Sequence, residues 1–88
     1  MNNQSYYIYD PFLLEYMRNT TIIDFLYQDA KECYNKFLEE RQANDVPSDL
    51  VASARVFNKA ISDKYPTLTR NHVYRKGQNR YVWVVVGE

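Results

Sequence analysis

Ser53-Ala54-Arg55-Val56-Phe57-Asn58-Lys59-Ala60-Ile61-Ser62-Asp63-Lys64-Tyr65-Pro66 is the stretch on which the fold turns. Ser53 can cap a helix, and residues 54–64 are helical by pattern. With Phe57 at the centre of the buried face, Ala54, Ala60, Ile61 and Lys64 fall near it at 100° per residue. Arg55, Lys59 and Ser62 fall opposite, with Asn58 on one flank. Tyr65-Pro66 ends the helix, because proline disfavours the helical conformation in the residue before it. Two strands follow, 70–75 and 80–86, joined by Lys76-Gly77-Gln78-Asn79, whose glycine supplies a positive φ. The second strand, Tyr81-Val82-Trp83-Val84-Val85-Val86, is apolar on both faces. Such a strand must be covered on both sides, or its surplus is an interface.

Upstream, Asp10-Pro11 is a helix start, with a capping aspartate before a proline at the first helical position. Phe12, Leu13, Tyr16 and Met17 recur at helical spacing. After Asn19-Thr20-Thr21 a second helix is expected from about Thr21 to Ala43, with Thr21 and Asp24 as a short-armed capping box. Its buried stripe combines Leu26, Ala30, Cys33 and Phe37 with Ile23, Tyr27, Tyr34 and Leu38. Asn44-Asp45-Val46-Pro47 stops it, and Ser48 offers another cap. Residues 1–9 read as an extended N-terminal arm and residues 10–88 as one domain.

The 88 residues carry no net formal charge, but the charge is unevenly placed. Residues 1–50 hold nine Asp/Glu and four Lys/Arg, and residues 51–88 hold seven Lys/Arg and two Asp/Glu, so the halves are −5 and +5. A basic helix followed by a basic hairpin is a surface for a polyanion, and nucleic acid is the commonest one. Nine Tyr, four Phe and one Trp give a small chain large apolar area in few side chains. Cys33 is the one cysteine, which excludes an intrachain disulfide and fits a reducing cytosol. No apolar run approaches the roughly 18 residues of a membrane span, and the start lacks a signal-peptide layout. The expectation is a soluble cytoplasmic domain that makes no membrane contact.

The order helix, helix, basic helix, basic hairpin is that of a winged helix, an α+β fold with a three-helix core and a C-terminal β-hairpin wing. From Phe25 to Tyr81, about two-thirds of the chain, it resembles the C-terminal winged-helix domain of phage and plasmid primase–helicases, the group that includes the poxvirus primase–helicase. Leu26-Tyr27-Gln28-Asp29-Ala30-Lys31-Glu32-Cys33-Tyr34 is similar to that family's aromatic-rich scaffold helix. Ser53-Ala54-Arg55-Val56-Phe57-Asn58-Lys59-Ala60-Ile61 is similar to its Ser-x-Arg-x-Phe-x-x-x-Leu recognition helix, and Val73-Tyr74-Arg75-Lys76-Gly77 with Arg80-Tyr81 to its basic wing. The resemblance implies an accessory role in binding DNA, duplex or fork, within a phage or mobile-element replication protein. No Gly-x-x-x-x-Gly-Lys-Ser/Thr loop is present in these residues, so helicase or primase catalysis is not carried over.

The candidate nucleic-acid-binding residues are Arg55, Asn58, Lys59 and Ser62 on the helix, and Arg70, His72, Arg75, Lys76, Gln78 and Arg80 on and around the hairpin. Arginine suits guanine, asparagine adenine, and lysine phosphate or guanine. The plainer alternative is an ordinary solvated helix face. His72 and Cys33 fall short of a zinc site, and Cys33 on the apolar stripe reads as a small hydrophobe. No metal, cofactor or catalytic residue is expected. Asp29, Glu32, Glu39 and Glu40 share the long helix with Lys36 and Arg41 and read as a solvated face, which would keep DNA off the back of the domain. Tyr6, Tyr7 and Tyr9 read as packing back over the helices. The rival reading is a protein-interaction or oligomerisation module on the same fold, associating with itself or with a parent protein through Tyr81–Val86.

Overall fold

A computed structural model of the chain describes residues 10–44 and 51–87. The arm expected over residues 1–9, its tyrosines and the Ser48 cap lie outside the described residues. The fold is mixed α+β. Helices α1 (Pro11–Arg18), α2 (Ala30–Ala43) and α3 (Ala54–Lys64) are followed by the antiparallel hairpin β1 (Leu68–Arg75) and β2 (Gln78–Val85), an order compatible with a winged-helix-like arrangement. Among the described residues no helix is long and apolar enough to cross a membrane.

Helix α1 starts as its sequence dictates, with Pro11 at the first position and the Asp10 side chain accepting from the Leu13 amide at 3.4 Å. Its buried face is Leu13 and Met17. The single helix expected from Thr21 to Ala43 is instead broken. A 3₁₀ turn at Ile22–Asp24, closed by Thr21 N–H donating to Asp24 Oδ2 at 2.7 Å, leads into a non-helical segment in which Tyr27 takes φ 63°. The cause is tertiary. Tyr27 N donates to Trp83 O at 2.7 Å, Trp83 N donates to Gln28 O at 3.0 Å, and Asp29 bridges Val82. Backbone groups that would have continued a helix are paired with the free edge of β2. Helix α2 restarts behind a new cap, Asp29, which accepts from the amides of Lys31 at 2.8 Å and Glu32 at 3.1 Å. The break also turns two expected stripe residues outward: Ile23 is 75% and Tyr27 58% exposed.

The core is built around Phe57, which is fully buried, as are Leu13, Phe37 and Ile61. Phe37 stacks on Phe57 with ring centroids 5.0 Å apart, and Tyr16, Phe25 and Tyr34 surround the pair. Cys33 packs here as a hydrophobe. Ala54, expected beside Phe57, is exposed. Lys64 is exposed too, but its ammonium donates to the carbonyls of Met17 and Thr20, and Tyr65 Oη donates to Thr20 O at 2.9 Å, fastening the end of α3 to the end of α1.

One buried polar cluster holds the helices in place. Arg41, read from sequence as part of a solvated face, is buried, and its Nη1 donates to Asp10 Oδ1 at 2.5 Å. Asp10 Oδ2 accepts from the Ala52 amide at 2.8 Å, and Tyr34 Oη donates to Ala52 O at 2.6 Å. The guanidinium of Arg41 also lies 5.9 Å from the centre of the Phe12 ring. One carboxylate thus joins the start of α1, the last turn of α2 and the residue pair before α3.

The hairpin runs in register from Leu68 opposite Val85 to Arg75 opposite Gln78. Its turn is two residues, not the four of the sequence reading: Lys76 at φ 52° and Gly77 at φ 76° form the primed turn whose twist matches the strands. One face carries Leu68 and Trp83 into the core, with Val85 packed against them. Val82, on the other face, is also buried. The surplus expected of Tyr81–Val86 is therefore largely covered within the chain, and of that stretch Tyr81 and Val86 remain exposed.

Removing one member of a buried ion pair leaves the other charge without its partner. Asp10→Ala is expected to lower the unfolding free energy in urea by about 3–5 kcal/mol, whereas Glu39→Ala on the exposed flank changes it by less than about 0.5 kcal/mol. Burial, aided by the negative charges of Asp29 and Glu32, pushes the Cys33 thiol up to about 11. At pH 8 the folded chain should react with a thiol reagent at least about 100-fold more slowly than the urea-unfolded chain, because only the thiolate attacks.

Candidate nucleic-acid interface

Helix α3 presents its outer side as its periodicity requires. Arg55 and Ser62 are exposed. Lys59 is half-exposed and lies 3.7 Å from Asp63 one turn on. Among the described residues Arg55 has no ion-pair partner. Asn58 departs from the expectation that it projects outward with them. It is half-buried on the flank facing the hairpin, and its Oδ1 is buried without a hydrogen-bond partner among the described residues.

On the hairpin, pairing fixes which cations share a face. Arg70 and His72 stand opposite Trp83 and Tyr81 on the core-facing side, while Arg75, Gln78 and Arg80 lie on the other side and Lys76 is in the turn. The Arg70 guanidinium lies 5.8 Å from the centre of the Tyr81 ring and 5.7 Å from that of Trp83. His72 tilts against Tyr81 with centroids 5.4 Å apart. Arg75 and Lys76 are exposed at the tip, with no ion-pair partner among the described residues. The ten residues named from sequence therefore do not form one patch. Asn58, Arg70, Gln78 and Arg80 meet around one cleft of about 290 Å³, Arg55 and Ser62 lie on the outer side of α3, and Arg75 and Lys76 stand at the hairpin's far end.

Arg80 has a different position from the one its charge alone indicates. It is not an open cation. Its Nη1 donates to Asp29 Oδ2 at 2.9 Å, Glu32 lies 3.9 Å away, and its Nη2 donates to Gln78 Oε1 at 3.0 Å. Burial opposes ionisation of Asp29, but the bonds from Arg80 and from the Glu32 and Lys31 amides outweigh it and hold the carboxyl below the usual carboxylate range. The pair joins the start of α2 to β2 and neutralises the carboxylate beside the cleft.

The cleft also contains residues that sequence reading left out of the interface: Lys31 and Tyr34 from the first turns of α2, and Asn79 and Tyr81 from β2. Lys31 could have been found from the Asp29 cap, which places it on the first turn of a helix starting at Ala30. Tyr81 stands opposite His72 because the turn has two residues, a register that a four-residue turn does not give. At 100° per residue, Glu32, Lys36 and Glu39 fall on the opposite flank of α2, where they line a separate groove with Tyr16, Ile23 and Asp24. The acidic flank and the α3–hairpin cleft thus open on different sides of one helix. Among the described residues no group of three or more His, Cys, Asp or Glu side chains is gathered for a metal.

The Asp29–Arg80 pair has a calculable pH dependence. A carboxyl whose folded value lies below its unfolded one, near 3.9, stabilises the fold above about pH 4 and loses that contribution as the pH falls through the folded value. Arg80→Met is expected to cost about 1 kcal/mol at pH 7, a figure reduced for the partial exposure of the guanidinium. The gap between variant and parent in urea unfolding should narrow at pH 3.

No family model, curated protein or solved structure matches this chain.

Proposed function

We propose that this chain is a non-catalytic DNA-binding winged-helix domain, an accessory part of a phage or mobile-element replication protein of the primase–helicase kind. The observation that carries the reading is the place of the short segment Tyr27–Asp29. It lies between α1 and α2, where an isolated bridge and two backbone hydrogen bonds join it to the last strand, a contact that supports a winged-helix-like reading of the order helix, helix, helix, hairpin. In that frame α3 is the recognition helix and the Lys76-Gly77 turn the wing tip. Arg55, Lys59 and Ser62 lie on the helix side that would enter a groove, while Arg75 and Lys76 would grip adjacent backbone. Most of these contacts go to phosphate and position the domain without specifying sequence. The acidic flank of α2 faces elsewhere and orients the docking by repulsion.

The rival reading, self-association through Tyr81–Val86, has less surface to use, since Val82 and Trp83 are 5% and 1% exposed.

Four to six phosphate contacts would give a slope of log affinity against log salt of about −4 to −5 on duplex DNA. The double variant Arg75→Ala/Lys76→Ala should weaken duplex binding and bring the slope about 2 closer to zero, with oligomer size unchanged. Fluorescence anisotropy with a labelled duplex across a salt series, beside light scattering, measures both. Affinity that does not change with salt, or a variant that alters oligomer size and leaves DNA binding intact, would refute the reading.

A further inference from the structure

The cleft between α3, the start of α2 and the hairpin is the feature the docking just described does not use. We infer that it receives a single unpaired base at the end of a duplex, so that the domain binds a fork or frayed end in preference to continuous duplex. This rests on the DNA-binding reading above and goes beyond it by naming the nucleic-acid feature.

Five residues converge on the site. Tyr81 lines the cleft and is 51% exposed, an aromatic surface that the core leaves open. The Arg70 guanidinium lies over both the Tyr81 and Trp83 rings, so ring and guanidinium together offer the surfaces on which unstacked bases settle. Asn58 supplies a hydrogen-bonding edge. Its side chain lines the cleft, and its buried Oδ1 has no hydrogen-bond partner among the described residues. The Asn79 amide lies across the same opening. Lys31 stands at the rim as a counterion for the phosphate that accompanies a base, and the nearby Asp29 carboxylate is already matched by Arg80.

The geometry selects unpaired over paired nucleotides. A base inside a duplex has both faces stacked and its Watson–Crick edge occupied. Only a terminal or unpaired nucleotide can offer a face to Tyr81 and Arg70 and an edge to Asn58 at once. The cleft is lined on one side by Ala54 and Asn58 of α3, beside the side of that helix on which the duplex docks in the reading above.

The same face-and-edge chemistry is carried by a free nucleotide, and the test separates the two sources. The whole chain is titrated against three labelled DNAs of equal duplex length: a blunt duplex, the duplex with a single-stranded overhang, and a fork. A 2-aminopurine placed at the first unpaired position reports stacking. The expected result is binding to overhang or fork at least about 5-fold tighter than to blunt duplex, with quenching of the 2-aminopurine. Tyr81→Leu should abolish the preference and the quenching while blunt-duplex affinity stays within about twofold. Asn58→Ala, which leaves the aromatic surface intact, should reduce the preference and keep the quenching. Equal affinity for all three DNAs would overturn the base-binding assignment and leave the DNA-binding reading standing. Absence of binding to any DNA would overturn both. A preference that survives Tyr81→Leu, or displacement of the overhang DNA by low micromolar dAMP, would overturn the assignment of the cleft to a strand end.

Discussion

The carboxylate of Asp10 is the constraint on which the rest of the structure depends. It caps α1, pairs with Arg41 at the end of α2, and accepts from Ala52 just before α3. A charge this deeply buried is tolerable only when its lone pairs are matched, and here three donors from three parts of the chain match them. The consequence is geometric. The N-terminus of α3 cannot shift against α1 and α2 without breaking a charge-assisted bond. The opposite end of α3 is tied to α1 by Lys64 and Tyr65. The helix that carries the candidate DNA contacts is therefore fixed at both ends by polar bonds and along its length by Phe57 and its aromatic neighbours.

The second organising interaction joins helices to hairpin. Asp29 caps α2, bridges Val82 and binds Arg80. Because cap and ion pair share one side chain, the start of α2 and the position of β2 are set together, and the cleft between them has a defined width. The same arrangement sorts charge. Lys31 and Arg70 face the cleft, while Glu39 lies on the far flank of α2 in a groove shared with Asp24, and Glu32 lines that groove with its carboxylate 3.9 Å from Arg80. A chain with no net charge thereby acquires two sides of unlike character.

Local signals were legible in the sequence, and distant ones were not. The Ser53 cap, the spacing around Phe57 and the Tyr65-Pro66 stop mark α3 within a dozen residues, and α3 forms where they place it. The hairpin was legible from its β-branched and aromatic run and from Gly77, although Lys76 at positive φ let the turn close with two residues. The break before α2 was hidden. Thr21 to Ala43 contains no glycine or proline, and apolar residues keep helical spacing through Leu26, Ala30 and Cys33. What interrupts the helix is pairing with Trp83, about 55 residues later in the chain. The candidate site divides in the same way. Charges could be counted, but which were already paired could not: Arg41 sits in a run of polar residues with its partner 31 positions upstream, and Arg80 has its partner 51 positions away. Asn58 was placed correctly on a flank of α3, but its turn towards the hairpin depends on where β2 lies.

The pairing of Tyr27–Asp29 with β2 also bears on how the molecule comes into being. Helices α1, α2 and α3 precede the hairpin in the order of synthesis, yet in the connection between the first two the Tyr27 amide and the Gln28 carbonyl meet Trp83 only when the last strand of the hairpin arrives. The N-terminal cap of α2 can form early, but its ionic clasp waits for Arg80. The contacts that join the start of α2 to the hairpin are thus long in sequence separation, the kind that form after the local ones.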